Sequence, residues 1–309
     1  MKKLSRDKII KLLNIDNGSK EYFDLLRKAY QCSRDEFHGQ GYVFAQLGLN
    51  AEPCSANCRF CSFGEDHYAA QNESRSKKED ILEEAKNFIA EDVQALFLMT
   101  TADYPVEDFL DIGREVKAMM PKGMDMVCNI GDFGDDVANK LKAAGFSAAY
   151  HICRLGEGTD TDLTVEQRIS TLDSIKKANL ELYYCVEPIG PEHTYEQIAD
   201  EIERAREYEV DVMAVMRRVP TIGTPKENDG VIDCYEFTKI AAVARLAVMP
   251  KKSMNAHETN QMTFLAGINQ IYAEYGTNPR DSSLDTEKSR GMSVAKCREL
   301  LRDAGYYND

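Results

Sequence analysis

The feature that most constrains the fold is a regular alternation of short apolar runs with longer amphipathic segments. Six runs have the length and residue content of strands: 42–49, 94–100, 124–130, 147–153, 180–186 and 211–216. Six segments have helical length and periodicity: 78–91, 107–119, 133–144, 164–179, 196–209 and 235–248. Repeated βα units predict a parallel sheet with right-handed crossovers, and a series this long favours a barrel over a doubly wound sheet. We therefore predict an α/β fold of the TIM type, a (β/α) barrel.

The chain begins with helical spacing before the first strand. Apolar positions within 5–37 recur at intervals of three and four residues, which predicts an N-terminal helical extension. We expect a cap over 1–40 and a barrel over 41–309 that together form one domain. No G-x-G-x-x-G motif follows the first strand, which disfavours a dinucleotide-binding fold.

Charge and hydropathy exclude several kinds of partner. The 38 basic residues are outnumbered by 52 acidic ones, giving a net charge of −14 with no basic stretch, so we expect no nucleic-acid partner. No run approaches the roughly 20 apolar residues that span a bilayer, and the N-terminus has no continuous apolar core, so we expect no membrane partner and a cytoplasmic location. In that reducing compartment, the nine cysteines are better explained as metal ligands than as disulfides.

Three cysteines follow the first predicted strand in a C-x3-C-x2-C pattern. Cys54, Cys58 and Cys61 lie where barrel enzymes build their active sites, and Phe60 directly precedes the last of them. Three thiolates from one short loop can bind three irons of a [4Fe–4S] cluster and leave the fourth iron open to a small molecule. The alternatives are a zinc site, which needs a fourth protein ligand, and a chance grouping of buried cysteines.

With this triad in this place on a barrel, the chain resembles the radical S-adenosylmethionine superfamily. The resemblance implies that S-adenosylmethionine chelates the open iron of a [4Fe–4S] cluster. It also implies that reductive cleavage gives methionine and a 5′-deoxyadenosyl radical. The expected fold is then the (β/α) barrel of the radical S-adenosylmethionine kind, in which the cofactor carries the difficult chemistry and the protein orients it.

The second half of the chain resembles biotin synthases in four stretches: 128–131 (CNIG), 164–168 (TVEQR), 223–225 (GTP) and 264–269 (FLAGIN). This resemblance implies that Arg168 contacts the carboxylate of S-adenosylmethionine with its bidentate guanidinium. The remaining expected cofactor contacts are Phe60 near the adenine, Thr100 and Thr101 on the methionine side, and Arg154 and Glu157 near the ribose or a zwitterionic substrate.

Biotin synthases hold a second cluster deep in the barrel on three strand cysteines and an arginine. Cys128 and Cys185 fall at two of those cysteine positions, whereas the third falls near Leu98 and the arginine position near Met254. Cys153 ends the strand between those that carry Cys128 and Cys185. We therefore predict an auxiliary cluster of unusual, four-iron type held by these three cysteines, provided that their side chains share one face of the sheet.

Two further regions are candidates for substrate binding at the barrel mouth. Arg217 and Arg218 directly follow the sixth strand, and one of them is expected to hold a substrate carboxylate. His257 and Glu258 follow a late strand and are candidates for the mouth or for a cluster ligand.

The leading hypothesis is a biotin synthase that inserts sulfur from the auxiliary cluster into dethiobiotin. The alternatives are a relative that rearranges carbon skeletons or matures a metallocofactor, as methylornithine synthase and hydrogenase-maturation enzymes do, an iron–sulfur carrier without catalysis, and a zinc module. The enzyme hypotheses require a reductant such as flavodoxin or ferredoxin, and the resemblance to biotin synthases implies a homodimer.

Overall fold

Eight parallel strands close into a barrel. The computed structural model describes residues 4–307. Its strands are β1 (Tyr42–Gly48), β2 (Asn50–Ala51), β3 (Ser74–Arg75), β4 (Ala95–Met99), β5 (Asp125–Asn129), β6 (Ala148–Tyr150), β7 (Glu181–Ile189), β8 (Val212–Arg217), β9 (Ser253–His257) and β10 (Gln270–Gly276). β2 and β3 pair as a separate antiparallel ribbon, and the other strands close the barrel in the order β1-β10-β9-β8-β7-β6-β5-β4. The predicted TIM-type barrel is confirmed.

Helices cover the outside of the barrel: α1 (Arg6–Leu13), α2 (Lys20–Glu36), α3 (Lys78–Ala90), α4 (Val106–Met119), α5 (Asp135–Ala143), α6 (Val165–Lys177), α7 (Tyr195–Glu207), α8 (Cys234–Val248) and α9 (Val294–Asp303). A 3₁₀ helix, Gln261–Ala266, replaces an α-helix between β9 and β10. The six predicted strands and six predicted helices are confirmed to within a few residues at their ends. β10 and α9 were not predicted, since the polar side chains of Gln270 and Glu274 interrupt the apolar pattern of β10.

The N-terminal helices pack on the outside of the barrel beside α7 and α8. The Ser33 hydroxyl donates to the Gly267 carbonyl at 2.6 Å, and Arg245 of α8 pairs with Glu36 at 2.6 Å. The predicted helical extension is therefore present. The predicted boundary between a 1–40 cap and a 41–309 barrel stays a prediction, and residues 1–3 and 308–309 of those ranges lie outside the described residues. Within residues 4–307, no helix has both the length and the apolar character needed to cross a membrane.

Aromatic rings fill the inside of the barrel. Phe44, Phe97, Tyr183 and Tyr272 come from four strands and are all buried, and we call these four rings the aromatic layer. Phe97 lies at its centre, with ring centroids 5.1 Å from Tyr272, 5.7 Å from Tyr183 and 6.1 Å from Phe44. Side chains at alternate strand positions point outward instead and pack against the helices. The barrel interior below the active-site face is therefore a packed core.

Candidate active site

The three cysteines of the motif lie in the loop between β2 and β3, at the carboxyl end of β1. The amide of Cys54 donates to the Phe63 carbonyl at 2.8 Å, and the amide of Cys61 donates to the Cys58 carbonyl at 2.9 Å. Asn57 adopts a left-handed backbone (φ 45°), and its side chain donates to Asp162 at 2.8 Å. Hydrogen bonds at both ends and in the middle therefore hold the loop in one shape.

The sulfur spacing is that of a cluster site rather than a zinc site. Within residues 4–307, Asp160, Glu192 and His193 form the one group of three potential ligand atoms that all lie within 4.8 Å of one another. The triad sulfurs are therefore more widely separated. A zinc ion with Zn–S bonds of about 2.3 Å would bring its tetrahedral ligands closer together than that. Burial raises the pKa of the Cys58 thiol to about 11, so thiolates in this loop need bound metal to be stable.

One cavity joins the triad to the barrel interior. It measures about 1070 Å³ including its open mouth. The three cysteines and Phe60 line one end, and the residues that line the barrel end are Tyr150, Glu187, Met216, His257 and Arg280. The three-thiolate donor set and the adjoining cavity fit a [4Fe–4S] cluster with a small molecule bound at its open iron.

Arg168 is held tightly at the wall of this cavity. A capping box of Thr164 and Gln167 begins α6 and places Arg168 in its first turn. The Arg168 guanidinium donates to the Ile152 carbonyl at 2.8 Å and to Asp132 at 3.0 Å, and it lies 3.3 Å from Glu157. Much of its donor capacity is therefore used within the protein.

Asp132 is the charge partner of this wall. Its Oδ1 lies 3.1 Å from Nε2 of His151 and accepts from the Thr171 hydroxyl at 2.9 Å. Burial alone would raise the pKa of Asp132, yet His151 and Arg168 together hold it well below its usual range. Burial and the charge of Arg168 lower the pKa of His151 to about 3, so this imidazole stays neutral.

Arg154 is held more loosely than Arg168. Its guanidinium lies 3.7 Å from Glu187 and 3.9 Å from Glu157, both longer than a hydrogen bond, while Glu157 instead accepts from the Arg154 amide at 3.0 Å. The Arg154 side chain is 21 % exposed, and it lines the cavity. Arg154 therefore has more donor capacity than Arg168 for a carboxylate in the cavity.

The predicted methionine side of the cavity is formed by the end of β4. Thr101 exchanges two hydrogen bonds with Asn50, through its amide at 2.9 Å and its hydroxyl at 2.8 Å. The amide of Thr100 donates to the Asn129 carbonyl at 3.0 Å. Thr100, Thr101 and Phe60 line the same cavity as the triad, so the structure brings these predicted residues together, and their contacts with a cofactor stay a prediction.

The comparisons with known proteins agree with this geometry. No family model matches the chain. The biotin synthases of Cytophaga hutchinsonii and Clostridioides difficile are 27 % and 26 % identical to it, over 81 % and 80 % of this chain and 79 % and 78 % of theirs. The [FeFe]-hydrogenase maturase HydG of Carboxydothermus hydrogenoformans superposes with a TM-score of 0.82 at 17 % identity, covering 99 % of this chain and 76 % of HydG. Methylornithine synthase (PylB) also gives 0.82, at 18 % identity, covering 100 % and 95 %.

The chain is a biotin synthase-like radical S-adenosylmethionine enzyme. Family membership implies a [4Fe–4S] cluster and S-adenosylmethionine as its cofactors.

The strand cysteines of this radical S-adenosylmethionine enzyme do not converge, so the predicted three-cysteine auxiliary site is wrong. Cys185 points into the barrel, where it lies close to Tyr150 and Glu187. Cys128 is one position away from the inward-facing Val127 and packs in the outer layer under the helices. Cys153 lies beyond the end of β6, and its amide donates to the hydroxyl of the outward-facing Tyr184 at 3.3 Å.

Arg217 also departs from its prediction. Its guanidinium lies 5.8 Å above the Phe237 ring and 3.7 Å from the Cys234 sulfur, both on α8. The side chain therefore points to the outside of the barrel. Arg218 is buried and bound to Glu192 and to the Gly230 carbonyl, so neither arginine of this pair is available for a substrate carboxylate.

His257 lies inside the cavity, as predicted for a residue near the mouth. Its ring stacks on Tyr272 at 4.7 Å, and its Nδ1 lies 3.4 Å from Arg280. Burial and the charges of Arg280 and Arg290 hold the pKa of His257 well below its usual range, so the imidazole is neutral. Glu258 pairs with Arg290 at 2.8 Å.

Sequence reasoning missed four residues at the barrel end of the cavity: Tyr150, Glu187, Glu274 and Arg280. The Tyr150 hydroxyl donates to Glu187 at 2.8 Å, and Arg280 pairs with Glu274 at 2.5 Å. A signal was present in β10, where Gln270, Tyr272 and Glu274 alternate as expected for polar inward-facing positions. Arg280 gave no signal, because it lies in an irregular loop.

Proposed function

We propose that this enzyme removes a hydrogen atom from a small polar substrate in the barrel interior and rearranges its carbon skeleton, without an auxiliary cluster. The observation that carries the proposal is the aromatic layer. Its rings occupy the depth of the barrel at which a second cluster would have to lie, and Cys185 alone of the three predicted cysteine ligands faces inward. One thiol does not supply the ligand set of an iron–sulfur cluster.

The barrel end of the cavity supports a polar substrate. Glu187, Arg280, Tyr150 and neutral His257 line it, and groups of this kind fix orientation through hydrogen bonds. Arg154 lies between this end and Cys58, where its loosely held guanidinium is suited to a carboxylate.

The chain's own residues then position the reactants. When bound, the cluster and S-adenosylmethionine supply a carbon radical that abstracts hydrogen. Arg154 and Arg168 bind carboxylate at the wall, Glu187 accepts hydrogen bonds from donor groups, and the aromatic layer closes the inner end of the cavity against water.

The experiment is anaerobic reconstitution of the wild type and of the Cys54/Cys58/Cys61→Ala variant, followed by iron and sulfide counts. We expect one four-iron cluster in the wild type, no cluster in the variant, and wild-type cleavage of S-adenosylmethionine to 5′-deoxyadenosine under reducing conditions. A cluster retained by the triple variant would contradict the absence of an auxiliary site. Protein that holds iron and never cleaves S-adenosylmethionine would instead favour the carrier hypothesis.

Sulfur insertion is the second candidate, because the sequence relatives are biotin synthases. It requires biotin to form from dethiobiotin, S-adenosylmethionine and a reductant such as flavodoxin or ferredoxin. We expect no biotin in this assay, and biotin formation would overturn the proposal in favour of a sulfurtransferase.

A further inference from the structure

Tyr150 presents an exchangeable hydrogen at the inner end of the cavity. It is the last residue of β6, and its ring points into the barrel and lines the cavity that the triad opens into. Its hydroxyl donates to Glu187 at 2.8 Å. Rotation about the C–O bond turns the same hydrogen towards the cavity, since a hydroxyl hydrogen has no fixed direction.

A second hydrogen donor lies directly behind Tyr150. Cys185 is fully buried and lies within hydrogen-bonding reach of both Tyr150 and Glu187. The three side chains therefore form one group of two hydrogen donors around a shared carboxylate.

The neighbouring Tyr272 gives independent support for a site here. Its side chain is close to Cys185 and is 4 % exposed, yet its hydroxyl has no hydrogen-bond partner within residues 4–307. The Nε2 atom of His257, stacked on the same ring, is also buried without a hydrogen-bond partner in this region. Buried polar atoms without partners are costly, so their grouping around the inner end of the cavity indicates a place that a polar ligand completes.

We propose that Tyr150 is a hydrogen-atom donor to carbon radicals in this cavity, and that Cys185 restores it; this rests on the proposed function. The hydrogen atom of the Tyr150 O–H passes to carbon, so that a C–H bond forms, the O–H bond breaks and a tyrosyl radical remains. Cys185 then gives its S–H hydrogen atom to the tyrosyl oxygen. The resulting thiyl radical takes one electron from the one-electron reductant that serves the cluster and one proton through Glu187 from solvent.

The environment keeps Tyr150 in the protonated form that this step needs. Burial, and then the negative charge of Cys185 and Glu187, hold its pKa well above the usual value for tyrosine. A phenolic O–H bond is weaker than the C–H bond of an alkyl group, so transfer of the hydrogen atom to a carbon radical runs downhill.

The test uses reconstituted holoenzyme in D₂O with dithionite and S-adenosylmethionine but no added substrate, and measures deuterium in the 5′-deoxyadenosine by mass spectrometry. We expect monodeuterated product from the wild type and loss of the enzyme-dependent deuterium in Tyr150→Phe. Tyr183→Phe is the matched control, because it removes another barrel hydroxyl that instead donates to Asp125 at 2.9 Å. It should match the wild type.

Freeze-quenched samples give a readout that does not depend on turnover. We expect an organic radical signal by electron paramagnetic resonance that narrows with ring-deuterated tyrosine, is lost in Tyr150→Phe and grows in Cys185→Ala. Wild-type deuteration in Tyr150→Phe at equal iron content would overturn the inference, as would 5′-deoxyadenosine without deuterium in the wild type. Absence of any 5′-deoxyadenosine would instead refute the proposed function, which separates the two failures.

Discussion

Replacing Phe97 with alanine tests whether the aromatic layer is a rigid core or a loosely filled space that a ligand could occupy. Phe97 is fully buried, and the rings of Phe44, Tyr150, Tyr183 and Tyr272 lie between 5.1 and 6.3 Å from it. A buried Phe→Ala change costs about 3–5 kcal/mol of unfolding free energy, and the cost is larger where the neighbours cannot collapse into the space. The neighbours here are rings fixed on separate strands, so we expect about 4 kcal/mol.

The assay is urea unfolding of the protein without its cofactors under reducing conditions, followed by circular dichroism. Phe23→Ala is the control, since Phe23 is 52 % exposed and a surface change of this kind costs about 0.5 kcal/mol or less. Phe97→Leu, which keeps most of the volume, should cost less than about 1.5 kcal/mol. A loss below about 1.5 kcal/mol for Phe97→Ala, with an unchanged dependence on urea, would show that the layer is not tightly packed, and the argument against an auxiliary cluster would fail with it.

Three further predictions follow from the site. The pKa of His151 is lowered to about 3, so between roughly pH 6 and pH 4 the unfolded state binds a proton that the folded state does not, and stability falls with pH by up to about 1.4 kcal/mol per unit; His151→Gln should flatten this slope in unfolding titrations, whereas the exposed His38→Asn should not. Cys128→Ser and Cys153→Ser should leave the iron content of reconstituted protein unchanged, and a loss of iron in either would restore the auxiliary site. Arg217→Ala should leave the cleavage rate of S-adenosylmethionine and the KM of any substrate unchanged, because a lost charge-assisted hydrogen bond would instead raise KM by about tenfold or more.

The features that could be predicted from sequence are those that depend on local spacing. The C-x3-C-x2-C loop is short enough that its three thiols must share one region, and the βα alternation fixes the fold class before any long-range contact is known. The same reasoning placed Arg168 correctly at the cavity wall, since the capping box of Thr164 and Gln167 is a local signal for the start of a helix.

The features that failed depend on strand ends and long-range contacts. β6 ends at Tyr150, so counting alternate positions onward to Cys153 gave the wrong face. Cys128 was assigned to the interior by its position in the chain alone, although Val127 and not Cys128 points inward. Arg280 lies in a loop whose place is set by distant contacts, and no periodic pattern identifies such a residue.

The closing seam of the barrel has a consequence for how the enzyme is made. β1 pairs with β10, and the Ser62 hydroxyl, one residue after the cysteine triad, donates to the carbonyls of Pro279 and Asp281. These partners are more than 200 positions apart in the chain, so the ribosome must synthesise almost the whole protein before the triad loop gains its final support. Cluster delivery is therefore a late step in biogenesis, and a nascent or truncated chain would expose its three thiols to oxidation.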